Sequence, residues 1–410
     1  MNLTGLQFLD KMEVADKSVF LRADFNVPLE NGVISDDFRI RKALPSIAHI
    51  LEKGGKLIIG SHLGRPKGKR VSAFSMDPVG ARLAELLGCE VILPHELMDP
   101  SLGTLVDEMK SGQVMLLENL RFHPGETKGD PEFARHLAGL ADCYVNDAFG
   151  AVHRGHASVY QMVEYFDRQN KAGGFLVRDE VLALNQLVDQ PASPFVAVMG
   201  GAKVSDKLGI LTTLVDEVDA IVIGGAMAYT FLRAQGIEVG ASLVESEQLE
   251  TARKIVERAR VRKTELCLPT DHVVARRFDA SSPDETAIVE TIDVGWQGLD
   301  IGPATRERYR TVIESAKTVF WNGPMGVFEN PLFCEGTNAV ATFVAQGDGH
   351  SVVGGGDSAA AIRSAGMEEA IDHVSTGGGA SLEFVQGKPL PGIEALRPNH
   401  PFESFLSSRS

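Results

Sequence analysis

Short runs of Val, Ile, Leu and Phe recur along this chain, each closed by a turn signal and followed by ten or more residues of helical periodicity. The runs are apolar at successive positions, as strands buried on both faces must be, and the helices between them supply the crossovers that parallel strands need. The chain therefore reads as α/β. In its first part the runs are SVFL at 18–21, KLIIG at 56–60, VMLL at 114–117 and CYV at 143–145. In its second part they are FVAVM at 195–199, AIVI at 220–223, TVFW at 318–321, SVV at 351–353 and HVS at 373–375. A length of 410 residues allows two or three domains, two if each is a large α/β unit. With 44% hydrophobic and 23% charged residues, 42 Gly and 19 Pro, collagen, coiled coil and wholesale disorder are excluded.

Parallel α/β sheets bind ligands outside the carboxyl ends of their strands, so the segments after these runs are where chemistry is expected. The two parts differ there. RADFN, SHLGRP, ENLRFH and NDAFGAVHRGH offer Arg and His, whereas GGAKVSDK, GGAMAYTF, NGPMGVFE, GGGDSAAA and TGGGASLE offer glycine backbone at helix starts, where unpaired N–H groups and the helix dipole favour phosphate. The net charge of −15 argues against a nucleic-acid-binding protein and repels small anions at long range, so an anionic ligand must be held by local clusters. No run reaches membrane-spanning length and no signal peptide is evident, so a cytoplasmic protein without membrane contact is expected, with a monomer the simplest state. Cys89, Cys143, Cys267 and Cys334 are far apart and read as reduced, buried thiols.

The stretch 173–191 reads as one helix, apolar at Leu176, Val177, Val181, Leu184 and Leu187, and is the natural connector between domains. An amphipathic surface helix is expected over 245–263 and an irregular tail over 387–399. Arg22, Asp24, Asn26, His62, Arg65, Arg121 and Arg154 all follow strand-like runs, and Arg39 stands at a helix start. Converging guanidinium groups suit a compact polyanion, although any one of them taken alone is an ordinary surface ion-pair former. Lys203 and Lys207 share a face if their segment is helical, which makes sense around a bound anion. Asp357 and Ser358 either cap their helix or meet hydrated Mg²⁺. His153 and His156 lack metal-site spacing and read as loop-packing or substrate-orienting residues. Gly354, Gly356 and Ala359 also fit the loose dinucleotide fingerprint, which leaves open an NAD-dependent oxidoreductase, and a non-catalytic sensor of phosphorylated ligands is open as well.

The strings FLRADFNVP, SHLGRP, LENLRF, NDAFGAVHRGHAS, GGAKVSDK, GGAMAYTF, WNGPMGVFE, GGGDSAAA and STGGGASLE, in this order, closely resemble the phosphoglycerate kinase family over essentially the whole chain. The resemblance implies two doubly wound, Rossmann-like parallel-sheet domains: 1–172 for the three-carbon acid, a hinge helix over 173–191, 192–388 for the nucleotide, and a tail, 389–410, returning to the first domain. It implies reversible transfer between 1,3-bisphosphoglycerate and MgADP, giving 3-phosphoglycerate and MgATP, with Mg²⁺ as cofactor. By motif, Asp24, Phe25, Asn26, Arg39, His62, Leu63, Gly64, Arg65, Arg121 and Arg154 would hold the acid. Gly201, Lys203, Lys207, Gly225, Gly298, Leu299, Asn322, Pro324, Glu329, Gly355, Gly356, Asp357 and Ser358 would hold the nucleotide, with Asp357 toward the metal. Arg39, Lys203, Lys207, Gly378 and Gly379 would serve the moving phosphoryl group. Arg178-Asp179 departs from the family's usual Lys or Glu in the hinge helix.

Overall fold

The computed structural model describes residues 3–401, so the last part of the expected tail, 402–410, lies outside the described residues. Contacts divide the chain into two compact units, one of residues 3–182 with 389–401 and one of residues 183–388. In the first unit the strands are β1 (Ser18–Ala23), β2 (Leu29–Glu30), β3 (Val33–Ile34), β4 (Lys56–Gly60), β5 (Val91–Ile92), β6 (Val114–Leu116), β7 (Cys143–Asp147) and β8 (Lys171–Gly173). All but the β2–β3 hairpin form one sheet of order β5-β6-β4-β1-β7-β8, with parallel pairing throughout. Alternation along the strands explains why both faces are covered. Val19, Leu21, Leu57, Ile59, Val114 and Val145 enter one core, while Phe20, Ile58, Met115 and Tyr144 enter the other.

The second unit holds β9 (Phe195–Met199), β10 (Ala220–Ile223), β11 (Glu265–Cys267), β12 (His272–Ala275), β13 (Thr286–Val289), β14 (Gln297–Ile301), β15 (Thr318–Asn322), β16 (His350–Gly354) and β17 (His373–Val374). Its parallel sheet has the order β11-β10-β9-β15-β16-β17, and β13-β12-β14 form a small antiparallel sheet. In both units the chain winds to one side of the first strand and then to the other. The topological switch therefore lies between β1 and β7 in one unit and between β9 and β15 in the other, and the crevices at these points open beside the strand-end segments.

The connector expected over 173–191 is the helix Phe175–Val188, with all five of its expected apolar residues buried, and the division between units falls inside it. The helix Leu249–Arg262 is amphipathic as expected, burying Ala252, Ile255 and Ala259. The stretch 387–399 is not an irregular tail: it contains the helical turn Pro391–Glu394, and Leu390, Ile393, Ala395 and Leu396 are buried in the first unit. Gly392 makes this docking possible, because its N–H donates to the Val152 carbonyl at 2.8 Å and a Cβ there would meet Val159 at 2.7 Å. Of the cysteines, Cys143 and Cys267 are buried but Cys89 is exposed and Cys334 half-buried, and all four are free thiols. Among the described residues no helix is long and apolar enough to cross a membrane.

Candidate active site

In the first unit, Arg39 on the first turn of the helix Phe38–Glu52 donates to Asp24 at 2.8 Å. Burial alone would raise the Asp24 carboxyl, but the guanidinium groups of Arg39 and then Arg22, with a hydrogen bond from the Asn26 N–H, hold it down at about 2. Burial pushes His62 well below its usual range, so it is a neutral hydrogen-bonding group beside the cations. The Asn26 side chain accepts from the Gly64 N–H at 2.8 Å, and Arg121 donates to the Gly64 carbonyl at 2.8 Å. The loops after β1, β4 and β6 are thereby tied together. Arg65, Arg121 and Arg154 line one cleft of about 600 Å³, together with Lys67, Gly68, Pro124, Thr127 and Lys128. Arg121 is pushed down to about 10 by burial and by the neighbouring Arg22 and Arg154, and its buried Nε has no acceptor. Such a wall calls for an anion.

Three expected members of this set serve as framework. Arg22 is not at a strand end but inside β1, fully buried on the Phe20 side, where its Nε donates to Ser158 at 2.7 Å and its Nη2 lies 3.8 Å from Glu126. The Phe25 ring is in the core and its N–H donates to Ser61 Oγ, so neither faces a ligand. Leu63 is likewise core, its carbonyl accepting from Asn119 at 2.7 Å. His156 is buried 3.8 Å from Glu126 and His153 accepts from Arg154 Nε at 3.1 Å, which makes this pair loop packing.

In the second unit, a cleft of about 450 Å³ is lined by Gly201, Gly225, Gly298, Leu299, Pro324, Glu329 and Asp357, seven of the expected nucleotide residues. The glycines here are a steric requirement. A Cβ on Gly225 would stand 2.5 Å from the Gly201 carbonyl, and the Gly201 and Gly225 N–H groups donate to the Pro324 and Met325 carbonyls. These glycines build the floor of the cleft and are not phosphate donors. Sequence reasoning missed Leu243, Phe278, Gln297 and Val327 on the walls; Leu243 and Phe278 are 53% and 66% exposed, and the available signal was Phe278, an aromatic side chain between Arg277 and Asp279.

The helix Gly356–Ser364 begins after Gly355 at a φ of 98°, so the first-turn N–H groups of Gly356, Asp357 and Ser358 have no intrahelical acceptor. The helix Gly378–Val385 starts alongside, a Cβ on Gly378 falling 3.2 Å from Gly355 Cα, so the two expected phosphate segments do converge. Asp357 is exposed and does not cap its helix, while the buried Ser358 hydroxyl accepts from the Gly323 N–H at 2.6 Å. Asn322 is also framework: buried, it donates to the Gly354 carbonyl at 2.8 Å. Lys203 and Lys207 do not share a helix face, because the helix Leu208–Glu217 starts only after Lys207. Lys203 is exposed in the preceding loop, which Glu245 anchors by accepting from the Ser205 N–H at 3.1 Å. Burial lowers the Lys207 amine to about 8 against the opposing charges of Asp357 and Asp206.

A cation-walled cleft in one parallel unit and a glycine-floored cleft beside two helix starts in the other define a phosphotransferase that takes a small anionic acid and a nucleotide. The family model for phosphoglycerate kinase matches residues 9–388. The phosphoglycerate kinase of Anaeromyxobacter dehalogenans strain 2CP-1 is 53% identical over 399 residues, covering 95% of this chain and 99% of that protein. That of Moorella thermoacetica is 49% identical over 388 residues, covering 95% and 98%. The solved phosphoglycerate kinase structures from Coxiella burnetii (38% identity, TM-score 0.83) and Pyrococcus horikoshii (31% identity, TM-score 0.84) each cover 95% of this chain and 98% of their own. This chain belongs to the phosphoglycerate kinase family. The oxidoreductase reading of Gly354–Ala359 falls with that assignment.

Proposed function

We propose that this chain transfers a phosphoryl group directly between 1,3-bisphosphoglycerate and MgADP, yielding 3-phosphoglycerate and MgATP, reversibly. The observation that carries this reading is the pairing of two unlike clefts, one lined by Arg65, Arg121 and Arg154 and the other floored by glycines and walled by Leu243, Phe278 and Val327. The first suits a small acid bearing several negative charges, and the second suits a flat base with its phosphates toward the helix starts at Gly356 and Gly378. In the direction of ATP consumption, a carboxylate oxygen of 3-phosphoglycerate bonds to the γ-phosphorus as the bond to the bridging oxygen breaks, and ADP leaves with that electron pair. The carboxylate is already ionised at neutral pH, so no general base is needed. The protein's work is alignment and charge neutralisation by Arg39, Lys203, Lys207 and the N–H groups of Gly378 and Gly379. With the ligands on separate units, in-line transfer calls for one unit to close on the other.

Mg²⁺ is implied by the family, and the residues fit its arrival with the nucleotide. Among the described residues no three His, Cys, Asp or Glu side chains form a cage, and Asp357 is an exposed carboxylate on the cleft wall. A magnesium ion carried by nucleotide phosphates needs only one or two such carboxylates. Asp357 would hold it there, and the ion would neutralise phosphate charge. The reading also makes this a monomeric, cytoplasmic enzyme, with which the four free thiols agree.

The test is a coupled assay with 3-phosphoglycerate and MgATP, in which turnover is expected. Binding of both ligands without turnover would favour the sensor reading, and a trapped phosphorylated side chain would exclude direct transfer.

A further inference from the structure

The acid cleft carries more positive charge than its three arginines supply. Lys67 and Lys128 also line it, and no carboxylate does. Both lysines are exposed, and among the described residues neither has an anionic partner. Each is set in place by a glycine that ties its loop to one of the arginine-bearing segments. Lys67 has a φ of 58°, a left-handed conformation that side-chain-bearing residues rarely adopt. The next residue, Gly68, donates its N–H to the Arg121 carbonyl at 3.2 Å, and a Cβ on it would meet Pro124 at 3.0 Å. Lys128 ends the helix Pro124–Lys128, whose cap, Gly129, packs so closely that a Cβ would fall 2.7 Å from the Gly155 carbonyl, beside Arg154. A lysine at a helix end is favoured by the dipole alone, but that does not explain a second lysine in an unfavourable backbone conformation facing the same cleft.

We propose that Lys67 and Lys128 form an outer rim of the acid site, contacting the phosphate dianion of the three-carbon acid and setting its affinity and its preference over unphosphorylated acids. This rests on the function proposed above. In a chain of net charge −15, the rim supplies the local positive potential that draws the acid in against the overall repulsion.

The experiment is steady-state kinetics of Lys67→Gln, Lys128→Gln and the double variant at low and high ionic strength. For the double variant the KM for 3-phosphoglycerate is expected to rise about tenfold at low salt, the gap narrowing to about twofold near ~0.5 M salt. The kcat and the KM for MgATP should stay within about twofold, since neither lysine lines the nucleotide cleft. Lys67→Arg should restore the wild-type KM. Lys67→Gly relieves the left-handed backbone, so it should fold at least as well as wild type and still show the raised KM. An unchanged KM, a salt-independent one, or an equal rise for MgATP would overturn the proposal. Calorimetric titration with 3-phosphoglycerate separates the two readings: binding by the wild type without turnover sinks the reaction but leaves the rim, whereas no binding sinks both.

Discussion

Lys207 and Arg22 show how residue type and residue role part company. Lys207 is half-buried next to Asp357, and burial brings its amine to about 8, so near that pH about half of the free enzyme carries it neutral. A bound phosphate raises the amine again. Nucleotide binding at pH 8 should therefore take up about half a proton, measurable by calorimetry in buffers of different ionisation heat, and the uptake should vanish in Lys207→Arg, which is always charged. Lys207→Ala should lower turnover on the order of a hundredfold with the fold intact, and an unchanged rate would remove Lys207 from the mechanism. Arg22 looked like Arg65 in sequence because both flank an apolar run. Strand alternation puts Arg22 on the Phe20 side of β1, where Ser158 and Glu126 enclose it, and those partners come from 136 and 104 positions along the chain, beyond the reach of a local pattern.

Among elements, nine strands of the two parallel sheets were legible, 56–60, 195–199 and 220–223 matching β4, β9 and β10 end for end, whereas the short β5, β8 and β11 and the antiparallel β12, β13 and β14 were not. The connector helix was legible too, but its anchorage was not. Asp147 at the end of β7 accepts from the Val177 N–H at 3.2 Å, and Ser46 accepts from the Phe175 N–H at 2.8 Å, so two side chains hold the first turn of Phe175–Val188. Burial, against hydrogen bonds from Ser46, Val177 and Leu176, raises the Asp147 carboxyl from 3.8 to about 7. The folded chain thus retains a proton that the unfolded chain loses, so this stabilisation is complete below about pH 4 and is lost as pH rises through 7. Asp147→Asn, which mimics the protonated form, should be near neutral at pH 4 and stabilise by on the order of 2 kcal/mol at pH 8 in denaturant unfolding. Equal effects at both pH values would mean that Asp147 does not titrate in this range. The Lys203–Lys207 segment was misjudged because intervals of four say nothing of where a helix starts; Glu245, 40 residues away, holds Ser205 in a loop instead.

For the whole molecule, each cleft is built within a single unit, so the binding sites should be separable by mutation. Arg65→Ala and Arg121→Ala should each weaken 3-phosphoglycerate binding by a factor of roughly ten or more while leaving nucleotide affinity nearly intact, as read by calorimetry. The reverse pattern would mean that the two units had been given each other's ligands. What the sequence by itself determined was nine strands of the two parallel sheets, the connector helix and the division of chemistry, arginine in one half and glycine in the other, because apolar period and residue type act over a few neighbouring positions. Only the tertiary structure decided which of those residues face a ligand. Arg22, Phe25 and Asn322 turned inward, and Phe278 and Lys67 lined the clefts, since burial and pairing depend on partners that the chain brings together from far apart.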